Sequence, residues 1–510
     1  MGRILLFALL LSAPSCAAAG QSPQSPLGIN LAGPADWNTE IPFTDIFRLS
    51  REWISQRKGA PWGQGPRLDR DANGWVKRLE PGCYAETVLC TIEGGHYPAG
   101  EYVCLYEGKG RIEFANIKRE VSRAPGRIVF EPDTARGSIF LRIMATDPAD
   151  PVRNIRVLLP GYEHRYRTEP FTPWFLKRWK GMKVFRFMDW MLTNGSSVKE
   201  WADRPTPQYC NFTEKGVPLE TMVDLCNRLR VSPWFCMPHL ASDDYIRRFA
   251  LEVKRLLAPD LKVYIELSNE VWNSGFRQHH DYGALGIKMH LADPSKPWEA
   301  AHRYYCIRAK QMWRIWQNVF GGRNRLVRIL GAQAAGAWWA EQDLAYQDTF
   351  RECDALAIAP YISFLVGPTT KPNADEVAEW SVDQVMDHME QVSLPECTAW
   401  MKQLKAIADR FKVRLVCYEA GQHAVGIGGA ENNDALTRVL TAANRSPRMG
   451  RLYTRYLQAW KDVGGGDLCC IFSSVGAWSK WGSWGLIEYY DDDTPKYRAV
   501  LAWLGRSPAP

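Results

Sequence analysis

Residues 262–273 read Lys262-Val-Tyr-Ile-Glu-Leu-Ser-Asn269-Glu270-Val-Trp-Asn273. A β-prone, mostly apolar run ends in a polar pair, Asn269 and Glu270, followed by an aromatic residue. A second run of the same build lies far downstream, Val413-Arg-Leu-Val-Cys-Tyr-Glu419-Ala-Gly421. Each reads as a buried strand that surfaces on a carboxylate. Short continuous apolar strands belong to parallel sheets covered on both faces. In closed sheets of that kind, chemistry sits where the strands end.

Working outward, the same texture recurs. Val184–Met188, Pro233–Met237, Val263–Leu267, Leu326–Leu330, Ala355–Ala359, Arg414–Tyr418 and Leu468–Phe472 are strand-like. Amphipathic segments separate them, including Pro218–Leu229, Asp244–Leu257, Trp298–Val319, Cys397–Phe411 and Arg448–Val463. Leu27-Gly-Ile-Asn-Leu31 supplies an eighth strand, and eight such strands with helices between them predict an α/β fold, a (β/α)8 TIM barrel.

The region after the first strand has a different rhythm. Thr87–Ile92, Glu101–Tyr106, Arg111–Ala115, Arg127–Glu131, Ser138–Ala145 and Ile155–Leu159 are short strands punctuated by Gly, Pro and Asp. That spacing predicts a small antiparallel β-sandwich inserted into the first βα unit. The expected organisation is a first barrel strand and helix over 26–58, with the helix at Thr44–Ser55, a sandwich over 75–162, and the rest of the barrel over 163–505. Pro173–Trp179 leads back into the barrel. The sandwich either binds carbohydrate or only shields the barrel.

Composition narrows the classes. The 510 residues carry 63 basic and 56 acidic side chains, a net charge of only +7 with no long basic run, which gives nucleic-acid binding no support. The chain has 22 Trp, more than an average core requires, and indole faces stack on the C–H faces of sugars. Most of them are nonetheless expected in the core.

The N-terminus predicts a secretory signal over 1–19. Arg3 is followed by the short apolar run Ile4–Leu11 and the small-residue site Ala17-Ala18-Ala19, with cleavage near Gly20. A secreted or periplasmic protein without a membrane span is expected. Cleavage removes Cys16 and leaves 12 of the 13 Cys, an even number that permits disulfides without specifying a pairing. Cys236, Cys417, Cys469 and Cys470 lie in apolar strands, where buried free thiols are equally expected. No Cys-x-x-Cys or His-Glu-x-x-His pattern is present, so neither metal nor cofactor is expected.

The strand ends gather chemistry at one mouth. The second strand ends in Arg186 and Asp189, the third in His239, the fourth in Asn269 and Glu270, the sixth in Tyr361, and the seventh in Glu419. Trp478 and Trp481 follow the eighth. Two carboxylates at such a mouth suit glycosidic bond cleavage: one protonates the leaving oxygen, and the other attacks the sugar carbon or activates water. Asp189 is a sugar ligand or a helix cap, and Gln422 and His423 either line the mouth or pack beneath it.

This set resembles the clan A glycoside hydrolases, retaining (β/α)8 enzymes, over roughly residues 183–500. The resemblance implies that Glu270 is the acid/base, Glu419 the nucleophile, and Asn269 a ligand of the sugar 2-hydroxyl. It also implies that Arg186 holds the nucleophile charged, Tyr361 stands beside it, His239 fills the third-strand position, and Trp478 or Trp481 floors the subsite. Ala359 stands where some members have a His, and the sandwich is not a general feature of the clan. The expected activity is that of an exported retaining glycoside hydrolase acting on a β-linked polysaccharide or oligosaccharide, its partner being the carbohydrate substrate. A transglycosylase using the same site and a non-catalytic carbohydrate-binding protein are the alternatives. Sugar identity, endo or exo action and oligomeric state are not legible in the sequence.

Overall fold

The computed structural model describes residues 24–507. The signal-peptide reading of 1–19, with cleavage near Gly20, lies outside the described residues. Eight parallel strands form a closed barrel in chain order: β1 (Leu27–Asn30), β2 (Val184–Arg186), β3 (Ser232–Met237), β4 (Val263–Leu267), β5 (Leu326–Gly331), β6 (Ala355–Ile358), β7 (Arg414–Ala420) and β8 (Cys469–Ile471). β1 closes the ring by pairing Gly28 with Val184 of β2 on one side and with Cys470 of β8 on the other.

Side-chain alternation explains why these runs are apolar throughout. One parity points inward, where Val184, Trp234, Cys236, Val327, Ile329, Ala355, Ala357, Val416, Tyr418 and Cys470 fill the barrel interior. The other parity, including Phe185, Phe235, Ile265 and Leu415, packs against the surrounding helices. Gly28 is required by proximity, since a Cβ there would stand 2.4 Å from Cys470 Sγ and 3.0 Å from the Val184 carbonyl.

Antiparallel sheets lie between β1 and β2. One has the strand order Ile54–Arg57, Cys83–Leu89, Ile139–Thr146, Gly110–Ala115, and the other Arg153–Leu158, Tyr102–Glu107, Arg127–Pro132, Ile117–Ala124. They share a core that includes Ile112, Phe130, Leu141 and Ile155. The chain leaves and re-enters the barrel side by side, with the Thr44 amide donating to the Pro170 carbonyl and the Thr172 amide to the Pro42 carbonyl.

The helix expected at Thr44–Ser55 is not formed. A single 3-10 turn, Ile46–Leu49, is followed by the strand Ile54–Arg57. Ile46, Phe47 and Trp53 are drawn into the sandwich core, and the strand pairs with Cys83–Glu86, so packing overrides the local pattern. The helix that completes the first βα unit is Pro173–Trp179. The sheets accordingly begin at Ile54 rather than near residue 75.

All twelve Cys among the described residues are buried free thiols. No helix among the described residues is long and apolar enough to cross a membrane.

Candidate active site

The mouth is organised by Arg186 at the end of β2, which is fully buried. Its guanidinium uses every N–H it has. Nε and one terminal nitrogen donate to Glu266 Oε2 at 3.1 and 2.9 Å. That same terminal nitrogen also donates to Asn269 Oδ1 at 2.8 Å. The other terminal nitrogen donates to Asn30 Oδ1 at 3.1 Å and to Glu419 Oε1 at 2.7 Å. The rings of Trp234 and Tyr418 flank the cation, centred 5.5 and 4.9 Å from its carbon.

Glu419 is 5% exposed. Besides Arg186, it accepts a hydrogen bond from the Tyr361 hydroxyl on Oε2 at 2.8 Å. Burial raises its pKa above the ordinary carboxylate range, while Arg186 and Tyr361 pull it back. The strand departs from its parity here: the pairing of β7 with β8 shifts register between Cys417 and Ala420. Tyr418 belongs to the barrel-interior cluster, and Glu419 nevertheless reaches the inward-facing Arg186.

Glu270 lies just beyond β4, where the chain turns sharply. Ser268 and Glu270 both take left-handed backbone angles, φ +62° and +42°. Such angles are costly for residues other than glycine and persist where surrounding structure holds them. The Glu270 carboxyl accepts from the Tyr418 hydroxyl at 2.9 Å and from Asn273 Nδ2 at 2.8 Å. Burial and the neighbouring Glu419 charge raise its pKa to about 7, against the lowering influence of Asn273, Tyr418 and Arg186. One carboxyl thus has a cation bonded to it, and the other is shifted toward its protonated form, with a pKa near neutrality.

Asn269 is buried and committed on both sides, accepting from Arg186 and donating to Asn194 Oδ1 at 3.1 Å. Gln278 reinforces this corner by donating to Asn194 and to the Asn269 carbonyl. Asp189 is partly accessible, and burial together with the Glu419 charge raises its pKa to about 7. His239 is bonded through Nε2 to Asp281 Oδ2 at 2.8 Å, and burial lowers its pKa. Its hydrogen bonds run to the helix Arg277–Lys288, to Asp281 and from the Tyr282 hydroxyl.

The two tryptophans after β8 divide. Trp478 is 8% exposed, donates through its indole to the Gly485 carbonyl, and has Lys496 and Arg445 over its ring at 4.4 and 4.6 Å. Its face is already covered, so it is a packing residue and not a sugar floor. Trp481 is 62% exposed on the turn Ser479–Gly482. The aromatic side chain that joins the site from this segment is Trp484, with ring centroids 5.5 Å from His423 and 6.1 Å from Phe472. His423 in turn lies 5.3 Å from Tyr361 and is kept neutral by burial, its pKa lowered to about 4. Gln422 is fully buried and bonds to the Ser483 carbonyl.

Sequence reading also missed Asn30, Glu266, Asn194 and Tyr418. Glu266 and Tyr418 occupy inward positions of strands, and that parity was the available signal.

Beyond β6 and β7 the chain forms a second, two-stranded parallel ribbon, Ile362–Val366 with Gln422–Gly426. Gly421, at φ +127°, permits the break; a Cβ there would lie 2.7 Å from the Tyr453 hydroxyl. The ribbon helps wall a cleft of about 630 Å³ that opens from Glu270 and Tyr361 across the loops after β4, β5 and β6. Among the described residues, no group of three or more His, Cys, Asp or Glu is placed to hold a metal ion.

No family model matches the chain, and no curated protein matches it. Among solved structures it is similar to a 4-O-α-L-rhamnosyl-β-D-glucuronidase from Fusarium oxysporum 12S, at 12% identity over 68% of this chain and 66% of that one, TM-score 0.39. It is also similar to a family 1 β-glucosidase from Thermotoga maritima, at 11% identity over 67% of this chain and 86% of that one, TM-score 0.34. A third similar structure is a GH26-CBM35 β-(1,4)-mannanase from Podospora anserina, at 11% identity over 89% of this chain and 96% of that one, TM-score 0.28.

Proposed function

We propose that the chain is a retaining glycoside hydrolase acting on β-linked glycans. One observation carries the reading: two carboxyls at the mouth of the barrel, Glu419 buried and Glu270 partly accessible, are differentiated, Glu419 by a bonded guanidinium and Glu270 by a pKa raised to about 7. Such a pair divides into a nucleophile and a proton donor.

In the first step a Glu419 oxygen bonds to the anomeric carbon as the bond to the leaving oxygen breaks. Glu270 gives its proton to that oxygen. In the second step the ionised Glu270 takes a proton from water, the water oxygen bonds to the anomeric carbon, and the glycosyl–Glu419 bond breaks. Arg186 and Tyr361 favour the ionised nucleophile that the first step requires and the second regenerates. The sequence at 1–19 supports export before this activity is exercised.

The test is a pair of variants assayed on aryl β-glycosides and on a polysaccharide panel. Glu419→Ala should lose turnover on every substrate. Glu270→Ala should retain activity on aryl glycosides whose leaving group needs no proton, and azide should accelerate its second step. The first product, followed by proton NMR, should keep the substrate's anomeric configuration. Unchanged turnover in Glu419→Ala would sink the reading, and inversion would recast Glu419 as a general base.

A further inference from the structure

We propose that the leaving group taken by this site is itself a glycan chain, so that the protein cuts β-linked polysaccharides at internal bonds. This rests on the glycosidase reading of Glu270 and Glu419 and deepens it. A general acid must stand beside the departing oxygen, so the space that opens from Glu270 houses the leaving group.

That space is large. At about 630 Å³ it falls among pockets that enclose drug-sized ligands, roughly 300–1,000 Å³. It therefore has room for more than one sugar ring. Its lining includes the indoles of Trp272, from the loop after β4, and Trp400, from the helix Leu394–Phe411. Leu365 and Val392 add apolar surface that is 41% and 50% exposed. Flat aromatic and aliphatic surface of this kind suits the C–H faces of successive sugars, while Asn273, Gln333 and Glu396 offer partners for hydroxyls.

The aromatic track continues past the cleft. Gln333–Ala335 line it, and the next helix, Ala337–Ala345, presents Trp338 on its first turn at 61% exposure. This indole is braced from behind. Trp338 meets Trp339 edge-on at 4.7 Å, Trp339 stacks on His302 at 4.1 Å, and His302 is held by Asp343 at 2.8 Å. A fixed, exposed indole provides a binding platform at low entropic cost.

The opposite rim has its own exposed indoles, Trp37 after β1 at 60% and Trp481 after β8 at 62%. In an eight-stranded ring β1 and β5 stand across from each other, so exposed indoles occur on both sides of the catalytic pair. A chain that continues in both directions from the cleaved bond would meet aromatic surface on each side.

The test uses the purified full chain on hydroxyethyl cellulose, mixed-linkage β-glucan, galactomannan and xylan, with aryl β-glycosides in parallel. On the polymer it cleaves, viscosity should fall while few reducing ends have formed. On matched oligosaccharides, kcat/KM should rise about tenfold or more as the leaving group lengthens from one sugar to three. Trp400→Ala and Trp338→Ala should flatten that dependence. Release of single sugars at constant viscosity, or a rate indifferent to leaving-group length, would overturn internal cleavage and leave the glycosidase reading standing. Failure to cleave any polymer or aryl glycoside would overturn both.

Discussion

The Tyr418 hydroxyl donates to Glu270 Oε1 at 2.9 Å, although its own chain neighbour, Glu419, is the other carboxylate of the pair. One strand thus supplies one acid of the pair and tunes the other. A donor to a carboxylate favours its ionised form, so this bond opposes the burial that raises Glu270.

Removing that donor has a signed consequence. Tyr418→Phe keeps the ring over Arg186 and deletes only the hydroxyl. Glu270 should then hold its proton to higher pH. Activity requires Glu270 protonated, so the alkaline limb of kcat/KM, near pH 7 in the parent, should move upward by about one pH unit, the equivalent of roughly 1.4 kcal/mol. A pH–rate profile on an aryl glycoside measures it. A limb that stays put or moves down contradicts the assignment of Glu270 as the acid.

Arg186 predicts a different kind of failure. It is enclosed between Glu266 and Glu419, with Asn30 and Asn269 completing its bonds. Arg186→Met leaves two buried carboxyls without their cation, a loss on the order of 3–5 kcal/mol. Urea unfolding should show the drop at pH 8, and it should be smaller at pH 5, where protonation of the abandoned carboxyls relieves the penalty. A pH-independent loss would mean that only packing had been removed.

The tryptophans after β8 separate stability from function. Trp478→Ala should cost about 3–5 kcal/mol, because the buried ring and its covering by Lys496 and Arg445 are lost. Trp481→Ala should leave thermal stability nearly unchanged, since most of the side chain is in water. Trp484→Ala should lower turnover by disturbing the contact chain through His423 to Tyr361 and Glu419. Thermal melts and kinetics on the three variants test the division. An intact melting temperature in Trp478→Ala would return that residue to the candidate substrate floors.

These contrasts trace what the sequence could carry. All eight barrel strands were legible because each is largely buried on both faces and reads as a mostly apolar run, although Glu266 and Arg328 fall within two of them. Glu270 and Glu419 were legible because each interrupts such a run at its end. Ile117–Ala124 was not, because every residue on this edge strand is at least partly exposed and the run Lys118–Glu120 is charged, a composition that blocks further pairing and also hides the strand. The helix expected at Thr44–Ser55 failed for the opposite reason: its apolar residues serve a core formed by strands far along the chain. Trp478 and Trp484 sit in one aromatic, Gly-rich segment, and only the packing of Lys496 and Arg445 tells them apart.

Glu40 offers a test of the fold that does not pass through activity. It is fully buried near the first strand, accepts from Trp179 Nε1 at 2.6 Å and from the Ser474 hydroxyl at 2.8 Å, and burial raises its pKa to about 7. The unfolded chain would release this proton near the ordinary glutamate value. Between roughly pH 4.5 and 7 the folded state therefore binds the extra proton, and its stabilising contribution, complete below that window, is lost as pH rises through about 7. For a shift of this size the loss is on the order of 3 kcal/mol. Glu40→Gln mimics the protonated side chain at every pH. The parent should melt lower at pH 8 than at pH 5, and the variant should show a smaller gap, with its advantage confined to the alkaline side. Asp189 and Glu270, raised for the same reason, keep some of the gap in place. Equal gaps in parent and variant would mean that Glu40 ionises normally in the folded protein.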